Sequence, residues 1–342
     1  MKKIILVCIL ALAANSYSAG AYAADSGYHL LKRLKVGGAG GWDYLTVDSA
    51  ARRLYISRST HVMVVDLDSE QVVGDIPNTQ GVHGIALAPE LNRGFISNGK
   101  TDTATIFDLG TLKVLGVVKT GANPDCIIYD PASKRVFTFN GRSKDATIFE
   151  AATGKLVRTL KLGGKPEFAA ADGKGKVYVN VEDANKVVEI DSLKSHISRR
   201  FAINSCVEPA GMGLDEEGGR IFSGCHNKVM TVLDLKAGKV IASIPIGGKV
   251  DANVFDAGAG LAFSSNGDGT LTVAREASTG NFEVVETVAT QPGSRTMALD
   301  PKTHTIYLPA ARFSQATESA QDGTLQRPVM EAGSFEVLVV GK

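Results

Sequence analysis

A strand-turn-strand pattern recurring seven times at steps of 40 to 44 residues, a four-strand rhythm inside each repeat, and a last repeat one strand short together predict the fold class. It is all-β: a seven-bladed β-propeller of four-stranded antiparallel blades, its ring closed by an N-terminal strand that completes the last blade.

Each repeat opens with an apolar strand ending in an Asp-centred turn, followed by a basic residue and a strand that carries an aromatic side chain. Leu45-Thr46-Val47-Asp48 with Arg53-Leu54-Tyr55-Ile56-Ser57 is the first copy, and Met212-Gly213-Leu214-Asp215 with Arg220-Ile221-Phe222 is a later one. The turn positions are Asp48, Ala88, Asp130, Asp172, Asp215, Asp256 and Asp300. Asp opening a turn with Pro beside it, as in Asp130-Pro131 and Asp300-Pro301, suits a type I turn, so these residues are read as scaffold. A third strand such as Ala104-Thr105-Ile106-Phe107-Asp108 follows. A turn such as Thr153-Gly154-Lys155 then leads to a fourth, such as Val240-Ile241-Ala242-Ser243-Ile244.

After Val337-Leu338-Val339-Val340 the seventh repeat has no fourth strand. Leu34-Lys35-Val36-Gly37-Gly38 matches the fourth-strand exits Leu160-Lys161-Leu162-Gly163-Gly164 and Ile244-Pro245-Ile246-Gly247-Gly248. Residues near His29 to Val36 are therefore expected to complete blade seven and pair its edge. A solenoid or two β-sandwiches would compete, but equal units with a complementary terminal strand favour a ring. The expected organisation is one domain over 24–342, with a long loop insertion at 311–333 in blade seven.

Residues 1–23 read as a secretory signal: Met1, Lys2 and Lys3 give a positive start, Ile4 to Ala14 an apolar run, and Ala21-Tyr22-Ala23 a small-residue cleavage site. The expectation is a periplasmic or secreted monomer with no transmembrane anchor after cleavage. Such a compartment is oxidising. Cys206 precedes the inner strand of blade five and Cys225 ends the strand paired with it. A disulfide between them is the favoured reading, in competition with a thiol or metal site involving His226. Cys126 is expected to be free and to face the blade packing.

The second-strand segments Phe95-Ile96-Ser97-Asn98, Phe137-Thr138-Phe139-Asn140 and Phe263-Ser264-Ser265-Asn266 resemble the Tyr-Val-Thr-Asn motif of the YVTN β-propeller repeat family. The resemblance extends over essentially all of 24–342, although blades four, five and seven depart at the motif's last position. It implies the fold. For function it implies only a range, since that family and its relatives include surface-layer proteins, nucleic-acid and cofactor binders and lactonase-like enzymes.

The two ends of a blade carry different sequences. At the turn end the repeats are interchangeable. At the other end, five residues before each turn position, they diverge: Asp43, His83, Asp125, Glu167, Ala210, Asp251 and Arg295. The loops joining second and third strands bring Arg58, Asn98, Asn140, Asn180, Cys225, His226 and Asn266 to the same end. Trp42, the only tryptophan, and the irregular stretch from Arg312 to Gly333 also lie there. A varied polar ring with an aromatic neighbour and a long covering loop is what a ligand funnel requires. The expected ligand-binding mouth comprises Trp42, Asp43, Arg58, His83, Asp125, Glu167, Asp251 and Arg295. The bland alternative is a hydrated channel whose charges only pair, for instance Arg295 with Asp43 or Asp251. His83, Asp125 and Glu167, with Asp43 as an alternative carboxylate, form a candidate set for a divalent metal as cofactor. His29, His196 and His304 fall on the closing strand, an outer strand and a scaffold turn, and are read as structural.

Three functions follow as expectations. The first is a non-catalytic binding protein for a small polar ligand or a partner protein of the periplasm or cell envelope; no Gly-x-Ser-x-Gly, His-Glu-x-x-His or phosphate-cradling loop is present. The second is a metal-assisted hydrolase or lactonase with His83 as general base. The third is single-stranded nucleic-acid binding. It is disfavoured by the balance of 37 basic to 36 acidic residues and by Asp43, Asp125, Glu167, Glu208 and Asp251 near the mouth.

Overall fold

A computed structural model describes residues 26–314 and 329–342. Residues 1–23, read from sequence as a secretory signal, and the middle of the blade-seven insertion lie outside the described residues. The chain forms seven four-stranded antiparallel sheets. Blades 1 to 6 occupy 45–76, 82–119, 124–161, 166–202, 209–245 and 250–289 in order. Blade 7 has inner strand Ala298–Asp300, second strand Thr305–Ala310 and third strand Glu336–Gly341. Its outer strand is His29–Leu34, paired antiparallel with the third, so the N-terminal strand closes the ring. Among the described residues no helix is long and apolar enough to cross a membrane.

The repeat's recurring residues explain the ring. The turn aspartates accept backbone hydrogen bonds two or three residues on: Ala51 N donates to Asp48 Oδ1 at 2.9 Å, Ser133 N to Asp130 Oδ2 at 3.0 Å, and Gly218 N to Asp215 Oδ1 at 2.8 Å. The basic residue opening the second strand reaches into the next blade. Arg53 donates to Leu109 O, Arg93 to Ala151 O and Arg135 to Ser192 O. Apolar side chains fill the seams between blades. Phe95, Ile106 and Val118 of blade 2, for example, pack with Ile127, Val136 and Phe149 of blade 3. The core is thus distributed around the ring, and burying it requires neighbouring blades.

Inner strands come closest where the sequence is small. A Cβ on Gly211 would lie 2.4 Å from Asn253 N, and one on Gly213 2.8 Å from Val254 C. These glycines let the inner strands of blades 5 and 6 touch at the axis.

Candidate functional site at the channel mouth

In blades 2 to 6 the ladder between inner and second strands slips where the divergent ring residue sits. The slips lie between Val82 and Ile85, Pro124 and Ile127, Pro166 and Ala169, Pro209 and Met212, and Val250 and Ala252. A bulge bends its strand and re-aims a side chain. Here it turns His83, Asp125, Glu167 and Asp251 toward the axis. Side chains of the second strands, and Thr296 ahead of the inner strand of blade 7, bond the backbone at the ring positions. Ser97 Oγ accepts from Gly84 N at 2.8 Å and donates to Asp125 O in the next blade. Ser265 Oγ donates to Arg295 O, Asn180 Nδ2 to Ala210 O at 2.8 Å, and Thr296 Oγ1 to Asp43 O at 2.7 Å. The ring residues therefore stand on backbones tied blade to blade.

Three of them meet directly. His83 Nδ1 lies 2.6 Å from Asp43 Oδ2 and 3.7 Å from Asp125 Oδ1. The other edge of the imidazole is held by its surroundings: a Cβ on Gly99 would come within 2.7 Å of His83 Nε2. Glu167 does not join this trio. It pairs with Lys165 at 3.0 Å, and Lys165 also pairs with Glu182. Asp251 pairs with Arg295 at 2.8 Å. Of the metal ligands expected from sequence, His83, Asp125 and Asp43 gather and Glu167 does not, because the unforeseen Lys165 holds the glutamate.

The mouth is acidic and only partly solvated. Burial and the neighbouring carboxylates push Asp125 and Glu167 upward against the pull of His83 and Lys165. Burial raises Asp251 to about 7, although Arg295 opposes the shift. Burial alone would lower His83, but the hydrogen bond it donates to Asp43 and the charges of Asp125, Asp43 and Glu167 outweigh it and raise the imidazolium to about 9. A protonated imidazole can donate a proton or carry a charge, whereas the general-base role expected from sequence needs the neutral ring.

Arg58 has a different role from the one its position suggests. It is fully buried, donates to the carbonyls of Gly37, Gly38, Ala39 and Gly40 at 2.8–3.2 Å, and lies 3.5 Å from the centroid of Phe335. Burial lowers its pKa to about 10. It anchors the glycine loop between the closing strand and blade 1 and offers nothing to a ligand. Asn98, Asn140 and Asn266 are likewise buried. Each donates from Nδ2 to the third strand: Asn98 to Thr103 and Thr105, Asn140 to Asp145 and Thr147, and Asn266 to Thr270 and Thr272. Trp42 packs on Phe335 and Phe313, with ring centroids 5.4 and 5.9 Å apart. With Gly41, Gly293 and Arg295 it lines a cleft of about 260 Å³ on the rim.

The floor of the mouth was not foreseen. Tyr44 and Phe168, from blades 1 and 4, stack across the channel with centroids 5.1 Å apart. Each directly follows a ring residue, where the other blades carry Gly84, Cys126, Gly211, Ala252 and Thr296. Two bulky rings among small residues were the available signal. Burial raises the Tyr44 hydroxyl well above its ordinary value, so it stays neutral beneath the acidic ring. Below the pair, Leu45, Val47, Phe168, Leu214, Phe255 and Leu299 line an apolar channel of about 400 Å³.

Cys206 and Cys225 are joined by a disulfide with Cα atoms 5.3 Å apart, and Cys126 is free and buried. His226, beside the bridge, lies 2.9 Å from Glu208 on the exposed rim. No protein-family model matches the chain, and no curated protein matches it.

Proposed function

We propose that this is an exported, non-catalytic β-propeller that binds a small polar ligand at the mouth of its central channel. One observation carries the reading: charged side chains from six blades gather at the mouth, directly above Tyr44 and Phe168, whose rings stack across the channel. The rim cleft between Trp42 and Arg295 adds apolar surface for a less polar part of the ligand.

Binding is favoured over hydrolysis by the absence of a Gly-x-Ser-x-Gly or His-Glu-x-x-His pattern and by the engagement of His83 Nδ1 with Asp43 at 2.6 Å. The acidic mouth favours ligands with a positive charge over phosphates. Export is supported by the pattern of residues 1–23 and by the Cys206–Cys225 bridge, which suits an oxidising compartment.

The test is a metabolite screen by thermal shift and native mass spectrometry on the protein and its Asp251→Ala and Glu167→Ala variants. At least one ligand should bind the parent and weaken about tenfold or more in a variant, equivalent to about 1.4 kcal/mol. Retention of every binding event in both variants would overturn the site.

A further inference from the structure

We propose that Asp43, His83 and Asp125 form the ligand set for one divalent transition-metal ion of the zinc or manganese class. This rests on the reading of the mouth as a binding site and names the species held at its centre.

The three residues come from blades 1, 2 and 3, and one donor atom from each lies within 4.8 Å of the other two. Two donors about 2.1 Å from a tetrahedral ion stand roughly 3.4 Å apart, close to the 3.7 Å between His83 Nδ1 and Asp125 Oδ1. The 2.6 Å contact with Asp43 is a hydrogen bond whose proton occupies the position of the ion. On binding, Nδ1 releases that proton to solvent and the Asp43 carboxylate moves outward by under about 1 Å to reach the same spacing.

Charge supports the assignment. Two carboxylates and a neutral imidazole carry a formal charge of −2, which a divalent ion cancels. One nitrogen with two oxygens favours zinc or manganese over calcium and magnesium, which prefer oxygen alone. The donors are also prepositioned: Thr296 holds the Asp43 carbonyl, Ser97 holds that of Asp125, and Gly99 leaves room for the His83 ring. Three protein ligands leave a fourth position facing the open cup, where a polar ligand can coordinate.

Tag-free protein is stripped with chelator, titrated with Zn²⁺ and with Mn²⁺ by calorimetry, and assayed for bound metal after desalting. One equivalent of one of these ions per chain is expected. His83→Gln and Asp125→Asn should each weaken binding by about 100-fold or more, beyond the effect of residues that only support ligands. His226→Ala, in the separate rim group of Glu182, Glu208 and His226, should leave binding unchanged. Circular dichroism verifies that each variant is folded. Absence of saturable binding by the parent overturns the proposal. So does retention in both mouth variants, or loss only on His226→Ala. The metabolite screen is run with chelator and with metal. Ligands that bind equally in chelator preserve the cup and remove the ion from it; stoichiometric metal without any small-molecule ligand preserves the ion and removes the polar-ligand reading.

Discussion

At the residue scale, the mouth is a place where folding stability is given up. Asp251 shows the sign. In the unfolded chain it loses its proton in the ordinary carboxylate range, whereas in the fold it keeps it to about 7. Between those values the folded state binds more protons, so its contribution to stability falls as pH rises through the window. Asp251→Asn should flatten that slope and raise stability at pH 8 by roughly 2 kcal/mol, discounted for water reaching the cup. Denaturant titrations at pH 4, 6 and 8 measure it, and an unchanged slope would contradict the account. Individual ring residues were legible because they break an otherwise uniform repeat. Arg58 was misread for the same reason: it also breaks the pattern, but its guanidinium turns into the glycine loop that only blade 1 carries.

At the scale of the element, the bulge in the inner strands of blades 2 to 6 matters most. It frees the ring side chain and leaves backbone groups that Ser97, Asn180 and Ser265 satisfy across blades. The asparagines ending the second strands do a related task, tying that strand to the third. Asn140→Ala would remove two buried hydrogen bonds, to Asp145 and Thr147, which keep Ser143, Lys161 and Gly121 as partners, and should cost about 1–2 kcal/mol. Chemical denaturation checks this; a loss below the error of the method would show that water replaces the amide. The sequence made these asparagines visible as part of a motif. It could not separate them from the channel lining, because being at the mouth end of a strand does not say which face of the blade a side chain takes.

For the molecule as a whole, closure is decided at the junction of blades 7 and 1. At the outer edge of blade 7 the closing strand pairs along its length with the last one. On the turn side the fully buried carboxylate of Asp300 accepts from Arg52 and Ser49 of blade 1, both at 2.6 Å, and from Thr303. Burial alone would raise its pKa, but these bonds hold it below the ordinary carboxylate value. Its stabilisation is therefore present above the unfolded value and is lost as pH falls through the depressed folded one. Asp300→Asn should cost about 3 kcal/mol at pH 7 and remove part of the acid sensitivity. Equal acid midpoints for the variant and the parent would place the acid-labile contact elsewhere.

From sequence alone, the number of blades, the antiparallel rhythm, the closing strand and the ring positions follow, because a repeat must bury each unit against its neighbours and its period is written in the chain. Only the tertiary structure decided which ring residues meet. Asp43, His83 and Asp125 converge across blades, Lys165 draws Glu167 away, and Tyr44 and Phe168 stack across the channel. The first and last of these depend on bulges and on side-chain reach between residues about 40 or more positions apart, and the second on which way a lysine two residues away turns; a periodic pattern fixes location along the strand but not partnership across the channel.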